Sequence, residues 1–263
     1  MALFNDGPIN QQQDLVTYEN GILDLSNQEQ IDLDGKIALA QREIGTQILS
    51  LLLVQETRTL LNQFLDPQDV LRRQTGVSDV VVTDPLQQWH AARTLAAVYR
   101  DAFNNQLNDR YLKKWQQYRD MDKEARATLY QIGIGISGYW LPMAPQPSLT
   151  IAPGTGSAVL YSAQMTWVNQ LGQEGAPSFQ ASFTGQPGTV LVVTPPAAAP
   201  QWAVGWNVYV GIPPGTETLQ NATPNSLGVS WTLPGTGLIE GGVPGSGQTP
   251  DYYVTHDRVL PRG

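Results

Sequence analysis

Two histidines, His90 and His256, and no cysteine occur among the 263 residues of this chain. Without thiolates there is no disulfide frame, no sulfur nucleophile and no Cys-based zinc site, and two imidazoles cannot build a His-rich metal centre. His90 follows Trp89 near the start of an expected helix, with no serine or carboxylate spaced to make a relay, and reads as a structural or surface histidine. Two glycine-rich runs, Gly154-Thr155-Gly156-Ser157 and Gly133-Ile134-Gly135, lack the following helix and the Lys-Ser/Thr pair that would hold phosphate, so both read as turns or hinges. The carboxylates of Asp32-Leu33-Asp34 and of Asp120-Met121-Asp122-Lys123-Glu124 lie close in sequence, as in hard-metal sites. On a helix, positions i, i+2 and i+4 do not converge, and an EF-hand's glycine and loop length are lacking, which leaves caps and solvated helix faces. No constellation supports an enzyme, and no cofactor or metal is expected.

Aromatic residues carry the remaining chemical potential. Trp89, Tyr99, Tyr111, Trp115 and Tyr118 have the ring faces to stack on bases or sugars, but their helical spacing assigns them to the core of a helix pair. Trp167 and Trp206 sit at alternating strand positions, as a sandwich core requires, whereas Trp202, beside Pro200 and Gln201, is the tryptophan least explained by packing and a candidate for exposure.

The elements that position these residues follow from composition. Hydrophobic residues make up 41% of the chain and charged ones 14%, a folded rather than a disordered balance. A net charge of −8 argues against general binding to nucleic acid or anionic membranes. The longest apolar run, Ile48 to Val54, is far short of a bilayer span, and the N-terminus reads as no signal peptide. Residues 1–140 hold 8 of 25 glycines, 3 of 19 prolines, 18 of 23 acidic and 13 of 15 basic residues. A charged, proline-poor half followed by an uncharged, turn-rich half predicts an α+β multidomain chain: an all-α domain over 1–140, a Pro-rich linker over 141–148, an antiparallel β-sandwich over 149–240 and an extended arm over 241–263.

Within the first half, Ile37, Ala40, Ile44, Ile48, Leu51 and Leu52 predict a helix from Asp32 or Asp34 to about Phe64, weakened at Gly45 and open to a break near Thr57. A short piece over Pro67–Arg73 follows. A second long helix starts at Asp84 as cap with Pro85 at the first helical position, and Asn104-Asn105 marks the turn into a third, over about Gln106 to Gly133. In the third helix Leu107, Tyr111, Trp115, Tyr118, Ala125, Leu129 and Ile132 are expected to face inward. The second and third helices form an antiparallel hairpin. In the second half, Val159, Tyr161, Ala163, Met165 and Trp167 alternate with Ser162, Gln164 and Thr166, and Val204, Trp206, Val208 and Val210 alternate with Gly205, Asn207 and Tyr209. Further strands are expected at Phe179–Thr184, Thr189–Val193 and Leu227–Leu233, giving a sandwich.

The run Asp84-Pro85-Leu86-Gln87-Gln88-Trp89-His90-Ala91-Ala92-Arg93-Thr94-Leu95-Ala96-Ala97-Val98-Tyr99, followed by Asp109-Arg110-Tyr111-Leu112-Lys113-Lys114-Trp115-Gln116-Gln117-Tyr118, resembles the head–tail connector (adaptor) proteins of tailed bacteriophages. The resemblance covers about residues 30–135 and rests on helix order and the tyrosine- and lysine-rich third helix. The stretch Tyr161 to Ser178, with Trp206-Asn207-Val208-Tyr209-Val210, resembles immunoglobulin-like or fibronectin type III modules of virion proteins, without their Cys pair or a clear tyrosine corner.

What the resemblance implies is assembly: a homo-oligomeric ring, as a dodecamer, between the portal protein and the tail or neck completion proteins. DNA would pass through without specific binding, and the protein would reside in the virion neck after assembly in the host cytoplasm. Tyr252, Tyr253, Val254, Val259 and Leu260 are too apolar for an idle terminus and are expected to dock on the portal or a neighbouring subunit, with strand addition as one route and packing on the chain's own domain as the other. The alternative reading is a fibre or decoration protein whose immunoglobulin-like domain binds host surface glycans. An enzyme would need an acid/base pair assembled from distant carboxylates.

Overall fold

A computed structural model of the chain describes residues 2–62, 76–107 and 109–255. Helices α1 (Gln12–Tyr18), α2 (Ile22–Glu29), α3 (Leu33–Asn62), α4 (Asp84–Gln106) and α5 (Asp109–Ile132) occupy the first half, and antiparallel strands fill the second. The expected α+β layout is therefore present.

The starts of α3 and α4 carry local signals. The Asp32 carboxylate accepts from the Gly35 amide at 3.0 Å, opening α3. Thr83 occupies the cap position of α4, one residue before the expected Asp84, with Pro85 in the first turn. Along α3, Leu33, Ile37, Ala40, Ile44, Ile48, Leu51 and Leu52 are buried at three- and four-residue spacing. The helix continues unbroken through Thr57, so tertiary cover outweighs the propensity cost of Gly45. The Pro67–Arg73 piece lies outside the described residues.

The helix pair α4–α5 is the hairpin that the periodicity predicts. Its turn comes later than Asn104-Asn105: α4 runs to Gln106 and ends at Leu107 in the left-handed region (φ 52). Asn105 stays helical and donates from its amide to the Glu29 carbonyl at 3.3 Å. Tyr99 and Tyr118 stack at 5.5 Å between ring centroids, and Phe103 stacks on Trp115 at 6.2 Å. Leu107 and Ile132, expected to face inward, are 73% and 50% exposed because both sit at helix ends, beyond the cover of the partner helix.

In the β half, one sheet has the order β2 (Ser148–Pro153), β5 (Thr189–Thr194), β8 (Trp231–Thr232), and the other β4 (Ala181–Thr184), β3 (Leu160–Asn169), β6 (Ala203–Gly211), β7 (Thr218–Leu219). Their inner faces share one core of Tyr161, Ala163, Met165, Trp167, Leu191, Val193, Trp206, Val208, Val210 and Trp231. The alternation expected along β6 breaks at Val204. Val168 and Asn169 pair with Gly205 and Ala203, so Val204 is the extra residue of a bulge and is 57% exposed. The strand expected over Leu227–Leu233 reduces to Trp231–Thr232, and β2, whose Ser148-Leu149-Thr150-Ile151 alternates polar and apolar, is a strand beyond those expected.

The chain divides into two units that are not serial. One comprises Met1–Asp6 with Ser137–Thr249, the other Gly7–Ile136 with Pro250–Gly263. Residues 141–148 belong to the β unit rather than to a linker: Leu141 and Ala144 are buried, and the Leu141 amide donates to Gln248 Oε1 at 2.6 Å. Residues 241–249 are likewise no free arm, since the Leu219 amide donates to the Gly242 carbonyl at 2.8 Å. In the helical unit, β1 (Ile134–Ile136) pairs antiparallel with β9 (Tyr252–Val254), Ile136 opposite Tyr252. The β unit is thus inserted in the helical unit at the position a hairpin turn would take.

This connectivity has an expected outcome. Removing residues 1–6 and joining Ile136 to Tyr252 through an Asn-Gly turn leaves a helical unit that still unfolds in one cooperative transition, because a two-residue turn closes directly opposed strand residues. Circular dichroism with urea titration checks it, and a non-cooperative, gradual loss of helicity would contradict it.

Candidate interaction surfaces

The C-terminal residues singled out for docking divide. Tyr252, Tyr253 and Val254 form β9 on the chain's own helical unit, with Tyr253 opposite Gly135 and the Asp251 amide donating to the Ile136 carbonyl at 2.8 Å. The close approach depends on Gly133, at φ 109, where an added Cβ would lie 2.9 Å from that of Tyr253. The rings of Tyr252 and Tyr253 stay about half exposed, at 47% and 51%. Val259 and Leu260 lie outside the described residues.

The carboxylates act in the scaffold. Asp32 caps α3. Asp120 takes Lys123 Nζ at 3.1 Å and Arg119 at 3.3 Å on an exposed face. Asp122 accepts from the Trp89 indole at 2.8 Å and from Arg93 Nε at 3.0 Å, and the other end of that guanidinium reaches Glu43 at 2.9 Å. One carboxylate therefore ties a fully buried tryptophan and a cation of α4 to α5. Glu19 does similar work from the end of α1: it accepts Lys114 Nζ at 2.6 Å and the Tyr118 hydroxyl at 2.7 Å. Burial alone would raise the Glu19 pKa, but the Lys114 and Tyr118 bonds outweigh it and hold the carboxyl below its ordinary value. Burial and the same carboxylate push the Tyr118 hydroxyl well up, keeping it a donor.

His90 is fully buried. Asn10 Nδ2 donates to the Gln87 carbonyl at 2.8 Å, which fixes its amide as donor toward His90 Nδ1 at 3.0 Å. The ring's Nε2–H then donates to the Ile37 carbonyl at 3.1 Å. Burial lowers its pKa to about 4, so the ring is neutral at pH 7 and fastens the N-terminal segment to α3 and α4.

The β unit holds a feature that sequence reasoning missed. Its residues, 1–6 and 137–249, include four carboxylates and no Lys, Arg or His. Glu174 is satisfied by neutral donors: Thr166 Oγ1 and the Tyr209 hydroxyl at 2.6 Å each on Oε2, and Asn207 Nδ2 at 2.8 Å on Oε1. Glu217 takes Ser162 Oγ at 2.5 Å, Gln180 Nε2 at 2.6 Å and the Gly215 amide at 3.1 Å. Burial works against its charge, yet these bonds lower its pKa overall. Both carboxylates pin loops onto the outward face of β3 and β6. The signal for them was the run of polar residues at outward strand positions in a segment lacking any cation.

No protein-family model, curated protein or solved structure matches this chain. Its function therefore rests on its own surfaces. Among the described residues, no three His, Cys, Asp or Glu side chains are grouped to hold a metal ion, and no helix is long and apolar enough to cross a membrane. Trp202, the candidate for an exposed sugar platform, is partly buried against the sandwich core and meets Tyr139 edge to face at 5.3 Å. The Gly154–Ser157 run is a loop beside β5, where an added Cβ on Gly156 would collide with the Thr189 carbonyl. Helix α5 is lightly covered, with only Tyr118 and Leu129 of its 24 residues fully buried.

Proposed function

We propose that this chain is a structural virion protein, a head–tail connector (adaptor) of a tailed bacteriophage. Its helical unit packs side by side with copies of itself into a ring of about twelve between the portal protein and the tail or neck completion proteins, leaving a passage for DNA. The observation that carries the reading is the α4–α5 hairpin, whose second helix is 24 residues long with only Tyr118 and Leu129 fully buried. Neighbouring copies in the ring would supply further cover along this helix. Exposed Leu49 and Leu53 on α3 and Met121 on α5 supply apolar contact for that purpose. The β unit, which has no Lys, Arg or His side chain, adds support, since it offers phosphate little hold and suits a part beside passing DNA.

The rival, a fibre or decoration module binding host glycans, loses its main feature with Trp202 covered by Tyr139, and a unit without Lys or Arg does not grip anionic sugars. Mixing the purified protein with portal rings and imaging by electron microscopy tests the proposal. An added ring of density on one face of the portal is expected. Bare portals in every condition, together with glycan binding by the β unit, would overturn it. A monomer in the absence of portal would not, because the portal then serves as template.

A further inference from the structure

The geometry points to a specific contact between copies: the acidic α1–α2 end of one helical unit seats against an arginine-rimmed groove between α3, α4 and α5 of the next. This deepens the ring reading and rests on it for closure of the assembly, while the contact itself stands on two surfaces of the chain.

The first surface is built on a one-signed segment. Residues 7–35 carry six carboxylates and no Lys or Arg. Glu19 and Glu29 are used within the chain, by Lys114 and by the Tyr111 hydroxyl. Asp14, Asp24, Asp32 and Asp34 are exposed, and among the described residues none is paired with a cation.

The second surface is a groove of about 230 Å³, floored by alanines of α4, walled by Trp115 and rimmed by Arg93, Arg100 and Arg119 with Glu43 and Asp122. Arg93 is committed to both of those carboxylates. Among the described residues, Arg100 and Arg119 pair only with their sequence neighbours, Asp101 at 3.5 Å and Asp120 at 3.3 Å, and both side chains are 48% exposed. Such exposed, poorly aligned pairs are worth little and exchange readily for a better carboxylate. The groove thus offers two available cations and an apolar wall in a chain whose net charge is −8.

The two surfaces are separated on the fold. Asp34 and Glu43 belong to the same helix nine residues apart, which at 3.6 residues per turn places them about half a turn out of phase, on opposite sides of α3. Asp34 of one copy therefore points away from that copy's own groove. A donor face and an acceptor face on opposite sides make a head-to-tail contact, which propagates and closes into a ring where the rotation allows. The occupant that matches is a second copy of this chain.

Two variants test it by sedimentation. Arg100→Glu/Arg119→Glu removes the groove's attraction, and Asp24→Asn/Asp34→Asn removes that of the acidic end. Wild type at high concentration and low salt is expected to self-associate, with affinity weakening about tenfold or more as salt is raised to physiological strength. Each variant alone is expected to be monomeric, and an equimolar mixture to form a one-to-one dimer and nothing larger, because only one compatible interface survives. The milder Arg100→Gln/Arg119→Gln variant serves in place of the reversal if circular dichroism shows that the latter is unfolded. A mixture that stays monomeric, a variant that assembles like wild type, or a wild type monomeric at low salt would each overturn the contact. The portal experiment fails or succeeds separately, since a ring templated by portal on other surfaces would still form with both variants.

Discussion

Glu174→Ala is expected to destabilise the β unit by about 4.5 kcal/mol, since a hydrogen bond to a charged group is worth roughly 1.5 kcal/mol and three are lost together. Thr166 and Tyr209 are 1% and 3% exposed, so their hydroxyls would lose their acceptor at a part-buried site, and the Asn207 amide would lose the same acceptor. The effect reaches past the side chain. Asn221 Nδ2 donates to Asn207 Oδ1 at 2.8 Å and Asn221 Oδ1 accepts from the Val208 amide at 2.8 Å, so the 174 loop, β3, β6 and the segment after β7 share one network. Burial, together with the Glu174 bond, pushes the Tyr209 hydroxyl far above its ordinary value, and the phenol remains a donor at all working pH values. Hydrogen exchange of β3 and β6 amides reads the loss within this unit. Glu174→Gln keeps one acceptor oxygen and is expected to cost about half as much. Equal stability of the alanine variant and wild type would show that the carboxylate is no anchor.

Lowering the pH from 6.5 to 4 is expected to remove about 3 kcal/mol from the helical unit through His90 alone, at about 1.4 kcal/mol for each pKa unit between the unfolded imidazole near 6.5 and the folded one near 4. Between those values the unfolded chain binds a proton that the buried ring refuses. The contribution is complete above pH 6.5 and is lost as pH falls. Protonation also turns Nδ1 into a donor facing the Asn10 amide, so the bond that fastens the N-terminal segment becomes a repulsion. Asp79, whose pKa burial raises, works in the opposite sense in the same unit, so the comparison must be between proteins. His90→Gln does not titrate and is expected to show a flatter stability profile in urea titrations across this range. Parallel profiles for the two proteins would contradict the assignment.

Much of the fold is legible from local patterns. Pro85 behind Thr83 and Asp84 announces the start of α4, and the apolar spacing along α3, α4, β3 and β6 gives the buried faces because period and cover coincide there. The insertion is not legible, since β1 and β9 are three-residue strands more than a hundred positions apart and carry no periodicity of their own. Proline density was equally misleading: Pro142, Pro145 and Pro147 interrupt a segment whose Leu141 and Ala144 are core residues. Among candidate contact residues, Tyr252 and Tyr253 belong to a strand of their own helical unit, with their rings still outward. The Glu174 and Glu217 anchors draw donors from several segments, and only the absence of cations hinted that their partners would be hydroxyls and amides.

A reconstruction of the neck of the assembled phage particle tests the connector account most directly. A ring of this chain is expected directly beneath the portal, with the α4–α5 hairpins of neighbouring copies side by side. Finding the chain instead at a fibre tip or on the capsid surface, with the portal joined to other proteins, would contradict it.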